Sequence, residues 1–143
     1  MSKPQRIVFD EEYLLAIYRP TGRFDAKMAD RLLRFLFLVE SAETRPFNRL
    51  LDLSRVREIQ LNEAEVSRIA EWRRSAVEKR EPFRTAILAP TPLGFGVGHM
   101  YERLMKGSNI KVRVVQTAVM AARWLAVPLA VIDTQAVGKS AVV

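Results

Sequence analysis

The stretch "RLLDLSRVREIQLNEAEV", residues 49–66, decides the fold. It begins as a strand, in "NRLLDLS", and ends as the opening of a helix, in "LNEAEVSRIAEWRRSAVEK". Asn62 stands where an N-cap belongs, and Glu65, three residues later, is placed to reach back to it. Leu61 and Val66 occupy the two positions of a hydrophobic staple. Val66, Ile69, Ala70, Ala76 and Val77 give this helix an inward face. Arg68, Glu71, Arg74 and Glu78 give it an outward face with favourable spacing for ion pairs. A strand that feeds a well-capped helix is half of a βα unit.

The same alternation extends both ways along the chain. "RIVFDEEYLLAIYRP" (Arg6 to Pro20) reads as two strands turning at Asp10, Glu11 and Glu12, followed by a break at Thr21 and Gly22. "DAKMADRLLRFLFLVESA" reads as a helix capped by Asp25. Met28, Leu32, Phe35, Leu36 and Val39 share one of its faces, and Leu33 and Phe37 form a second apolar stripe. "FRTAILAP" is a further strand. "TPLGFGVGHMYERLMKG" is a helix that starts at Thr91 and Pro92 and exits at Gly107. "IKVRVVQ" is the last strand, and its Lys111 and Arg113 point to one watery side, which implies helices mostly on the other. "TAVMAARWLAV" is a last helix, stopped by Pro128. The predicted architecture is a single α/β domain over residues 1–127, with a five-stranded, mixed but mostly parallel sheet, an N-terminal hairpin and about four helices. Residues 128–143 are read as a C-terminal arm or tail.

Composition narrows the chemistry. The chain has 143 residues, of which 49% are hydrophobic and 27% charged, enough apolar material for one packed core. Net charge is +7, compatible with an anionic partner or with a soluble surface alone. With no cysteine there is no disulfide, thiolate nucleophile or Cys-ligated metal, and with one histidine no multi-His site. The N-terminus lacks the apolar run of a signal peptide, and Arg123 and Pro128 interrupt the most apolar stretch near the end. A soluble, cytoplasmic protein without a cofactor is expected.

Order and residues together resemble the STAS-like, anti-sigma-factor-antagonist superfamily, most closely its SpoIIAA-like branch, over roughly Ile7 to Val127. The carriers are "NRLLDLSRVREI", "EVSRIAEWRR", "PFRTAILAP", "GFGVGHMYERL" and "AARWL". The resemblance implies a compact domain of successive βα turns and a regulatory role through protein interaction. Antagonists of this kind carry a phosphorylatable serine after the third strand, in a motif like Asp-Ser-Ser-Gly-Leu. Matched from Leu51, Asp52, Leu53, Ser54 and Val56, that motif falls on Gln60, Leu61, Asn62, Glu63 and Ala64. The acceptor position is then Leu61 or Asn62, neither of which can take a phosphate, and the motif's glycine is missing. Ser54, the nearest hydroxyl, is read as a strand-end residue bonding its own turn.

No catalytic constellation stands out. His99 is the one imidazole, and no Gly-x-Ser-x-Gly elbow is present. Gly94, Gly96 and Gly98 lie between a strand and a helix, where phosphate loops sit. Their spacing is neither a dinucleotide fingerprint nor a P-loop, so close approach of helix to sheet is the favoured reading. Thr91, His99 and Arg103 are the residues that would converge there on an anion. Arg73, Arg74, Lys79, Arg80 and Arg84 crowd the exit of the second helix, and Arg49, Arg55 and Arg57 flank the third strand. Acidic residues are interleaved with them, Trp72 is read as shielding the core, and nucleic-acid binding is set aside.

The expectation is therefore a non-catalytic, non-enzymatic interaction domain lacking the phosphoacceptor, with a protein partner or a homodimer contact through the first helix or the C-terminal arm. The alternative is a binder of a small apolar or lipid-like ligand, in a cleft lined by Leu33, Phe37, Phe95, Met100 and the glycine run. Candidate binding residues are Phe24, Leu33, Phe37, Ser54, Arg55, Arg57, Thr91, Phe95, His99 and Arg103. Parallel sheets place ligands at the carboxyl ends of their strands, so a site is expected at Arg55 to Asn62 and Thr91 to His99, with Phe24 and the first helix nearby.

Overall fold

The computed structural model describes residues 6–133. Its elements are β1 (Arg6–Asp10), β2 (Leu15–Arg19), β3 (Gly22–Asp25), α1 (Ala26–Ala42), β4 (Asn48–Asp52), β5 (Val56–Gln60), α2 (Glu63–Val77), β6 (Phe83–Leu88), α3 (Pro92–Leu104), β7 (Ile110–Val115), α4 (Ala118–Leu125) and α5 (Leu129–Ile132). The main sheet runs β1-β2-β4-β6-β7. Only the β1–β2 hairpin is antiparallel; β2, β4, β6 and β7 pair in parallel. The acidic turn forms as expected, with the Tyr13 N–H donating to Asp10 Oδ1 at 3.0 Å.

Strand alternation sorts the core into two layers. Ile17, Leu50, Ala86 and Leu88 face α4 and α5. Tyr18, Leu51, Ile87 and Val114 face α1, α2 and α3. The expectation of helices mostly on one side is thus corrected. The basic side of β7 misled because Trp124 of α4 covers it: Arg84 and Arg113 lie over its ring at 4.5 and 4.4 Å, leaving both arginines exposed above a packed face. Trp72, read as a shield of the core, is instead 47% exposed. Beyond Pro128 the chain packs back: Ile132 is buried, and Arg19, paired with Asp52, donates to its carbonyl at 2.8 Å. Residues 134–143 of the expected arm lie outside the described residues.

The glycine run is explained by α3. Thr91 caps the helix through Gly94 N–H (3.1 Å), and Pro92 opens it. Gly98 touches the sheet: a Cβ there would stand 2.7 Å from Val114 Cγ2, whereas one at Gly96 would meet nothing within 4 Å.

Two features hold α1 and α2 in place, and sequence patterning found neither. At their starts, β3 and β5 form a separate parallel ribbon, with Phe24 opposite Ile59 and Asp25 opposite Gln60. These residues were read as a break and a loop, because "VREIQ" carries no period-two pattern to mark a strand. The ribbon delivers both caps. Asp25 accepts from Met28 N–H at 3.1 Å. Asn62 and Glu65 make both legs of the capping box, at 2.8 and 3.0 Å. The turn entering α2 is therefore a helix start.

Toward their far ends, the Glu40 carboxylate of α1 accepts from two guanidiniums. Arg73 of α2 forks onto both its oxygens, at 3.1 and 2.9 Å. Arg49 of β4 donates to Oε2 at 3.2 and 2.7 Å and lies between the rings of Phe47 and Phe83, 3.7 and 3.4 Å from their centroids. Arg80 donates to the Glu40 carbonyl at 3.1 and 2.8 Å. Arg49 had been read with Arg55 and Arg57 as flanking charge; it is buried because it sits on a central strand and points into the helical layer.

One pair of glycine substitutions and one substitution of Glu40 test these contacts. Gly98→Ala should lower the thermal midpoint, since overpacking at about 1–3 kcal/mol outweighs the helical gain of about 1 kcal/mol, while Gly96→Ala should raise it. Circular dichroism melts of the two variants would show opposite signs. Burial alone would raise the Glu40 pKa, but the hydrogen bonds and charges of Arg73 and Arg49 together lower it beneath the ordinary 4.5. A carboxyl with a depressed folded pKa stabilises the protein above the unfolded value and loses that contribution as pH falls through the folded one. Glu40→Gln should cost about 3–5 kcal/mol at neutral pH, by leaving two guanidiniums without a counter-charge. Urea midpoints should show this cost shrinking as pH drops below 4.5.

Candidate functional site

The ribbon and the Glu40 cluster bracket a cavity of about 90 Å³. Its walls are Leu32, Leu33 and Leu36 of α1 and Val66 and Ile69 of α2. Phe24, Ile59 and Leu61 close the ribbon end, and Ala16, Leu51, Thr85 and Ile87 of the sheet make the floor. The helices do not pack side by side along this length, so Leu32, Phe35, Leu61 and Ile69 remain only half-buried. An engineered apolar cavity of about 150 Å³ admits benzene, so this one suits a smaller guest.

One end of the cavity is polar. Arg49, Arg73 and Tyr101 contribute to its lining, with Glu40 behind them. Burial is the largest influence on each. It brings the Arg49 pKa down to about 10 despite the Glu40 charge. At Arg73 the Glu40 bonds and charge outweigh burial, and the net shift is upward. Burial drives the Tyr101 hydroxyl up, although the Arg73 guanidinium beside it works the other way; Tyr101 as a whole is half-buried. Tyr18, lining the cavity from β2, is raised to about 12 by burial. Arg49 and Arg73, both almost fully buried, share one carboxylate, so this end carries one positive charge in excess.

Of the residues proposed from sequence, Phe24 and Leu33 meet in this cavity. Phe37 lies on the outer side of α1, 58% exposed. Ser54 is exposed in the turn after β4, its N–H donating to Asp52 Oδ1 at 2.9 Å. Arg55 and Arg57 are exposed around β5. Thr91 is a cap; the half-buried Phe95 stacks on the exposed His99 at 6.3 Å, and Met100 is half-buried. Arg103 is exposed in the last turn of α3, about 18 Å along the axis from Thr91. Thr91, His99 and Arg103 are thus strung along the helix and share no end.

Glu40, Arg73 and Tyr101 were missed as site residues. A signal for two of them existed: Glu40 follows Leu33 and Leu36 on the inner stripe of α1, and Arg73 follows Val66 and Ile69 on that of α2. A charge at a core position of a periodic helix needs a buried partner. The carboxyl ends of β2 and β4 on the opposite face are filled, since Arg19, Asp52 and the carbonyls of Val131 and Ile132 occupy them. Among the described residues, no group of three acidic, His or Cys side chains is placed to hold a metal, and no helix is long and apolar enough to cross a membrane.

No protein-family model and no curated protein matches the chain. Among solved structures it is similar to an uncharacterised protein of the DUF3478 family, from Shewanella loihica PV-4, described as having a SpoIIAA-like fold. The two share 13% identity with a TM-score of 0.54, over 87% of this chain and 98% of that one. At this identity the likeness is one of fold. The domain accordingly has a SpoIIAA-like α/β fold, as the resemblance implied.

Proposed function

We propose that the chain is a non-catalytic regulatory domain that acts by protein interaction, with the outer side of α1 as its docking surface. The carrying observation is the adjacent pair Phe37 and Leu38, 58% and 66% exposed on a helix whose opposite side carries the buried Ala29, Leu33 and Leu36. Isolated exposed apolar residues are ordinary; two large neighbours on one helix, beside exposed Arg34 and Ser41, have the composition of an interface centre with a polar rim. Gln60 to Ala64 offer no hydroxyl at the family's acceptor position, which supports docking without a phosphate switch. A second reading, a binder of a small apolar ligand, is favoured by the cavity behind the same helix.

A second copy of the chain is the partner to test first. Covering a Phe and a Leu contributes about 1.5–3 kcal/mol each, so losing both should weaken the complex by roughly a hundredfold or more. Sedimentation velocity should show a dimer for the wild type and a monomer for a Phe37→Glu, Leu38→Glu variant with unchanged circular dichroism. A variant that sediments like the wild type would overturn this surface.

A further inference from the structure

We propose that the cavity between α1 and α2 binds a small monoanionic amphiphile, a short-chain carboxylate, whose head group seats beside Arg73 and Tyr101 and whose hydrocarbon part lies between the two helices. The inference rests on the ligand reading of this cavity and adds the chemical class of the guest.

Charge is the first argument. A clamp joining α1 to α2 needs one guanidinium on Glu40, and Arg73 already engages both carboxylate oxygens. Arg49 brings a second cation to the same carboxylate from the middle of the sheet. Neither side chain reaches water, with side-chain exposures of 5% and 3%. A buried cation without its own counter-charge costs several kcal/mol. A monoanion would balance the surplus of these two buried guanidiniums.

Shape is the second argument, and it is independent of the first. Beyond this end the lining turns apolar, with Leu33, Leu36, Val66 and Ile69. Thr85, opposite Arg49 in the parallel register, adds a hydroxyl to the floor near the charged end. One polar end and one apolar end describe an amphiphile. At about 90 Å³ the space excludes a long acyl chain, so the guest is short.

Methyl-resolved NMR titration of the full chain with propionate, propan-1-ol and inorganic phosphate tests both the site and the charge. Propionate should shift the methyls of Leu33, Val66 and Ile69 and bind at least tenfold more tightly than propan-1-ol, while phosphate leaves these methyls unmoved. Tyr101→Phe keeps the ring in place and should weaken propionate several-fold without changing propan-1-ol. Equal binding of propionate and propan-1-ol would overturn the carboxylate assignment but leave the ligand reading standing. If neither compound moves these methyls, both are overturned.

Discussion

One carboxylate shared by two arginines organises the helical layer of this domain. Glu40 ties α1 to α2 through Arg73 and to the central strand β4 through Arg49, and its backbone carbonyl takes Arg80 as well. Burying three charged groups is unfavourable in itself, and such clusters seldom add net stability over an apolar core. What this one supplies is position. Its donors come from a strand, a helix and the segment after that helix, so α1 can satisfy Glu40 in one placement only. The rings of Phe47 and Phe83 then hold the Arg49 plane from both sides and keep water from it.

The β3–β5 ribbon imposes the complementary constraint. Paired strands lie about 4.8 Å apart, but packed helices need about 8–10 Å between axes. Helices that start from neighbouring strands must part, and α1 and α2 do so between the ribbon and the Glu40 cluster. The cavity is the consequence of two fixed ends with unequal spacing. The opposite face of the sheet has no such conflict. There α4 and α5 pack directly, and Arg19 and Asp52 close the strand ends against the carbonyls of Val131 and Ile132.

How much of this was legible in the sequence follows from which patterns are local. The capping box, the Asp25 and Thr91 caps, the hairpin and the strands of the main sheet each announce themselves within a few residues, and the structure has all of them. The ribbon was invisible because β3 and β5 pair across more than thirty positions, and neither alternates. The cluster was missed for a different reason. Counting Arg49, Arg73 and Arg80 as surface charge ignored where each falls on its element, although Arg49 and Arg73 occupy inward positions flanked by core residues. Glycine spacing pointed to close approach of helix to sheet, and Gly98 makes that approach at Val114, a partner that the spacing alone could not name. In each case a non-local partner gave the residue its role.

The segment that opened the sequence reading, residues 49–66, turns out to carry both constraints. Its strand supplies Arg49 to the cluster. Its second half supplies β5 to the ribbon and the cap to α2. A loop controlled by phosphorylation has to be accessible and free to change. Here Asp25, the cap of α1, pairs with Gln60, two residues before the cap of α2, so displacing this loop would disturb the start of both helices at once. A loop bound in this way is poorly suited to act as a local switch. Leu61 lines the cavity from the loop itself, and the inner side of α1 lines it from across. The outer side of that helix carries Phe37 and Leu38. On the proposed reading, a guest in the cavity and a partner on the exterior would therefore meet on the two sides of a single helix.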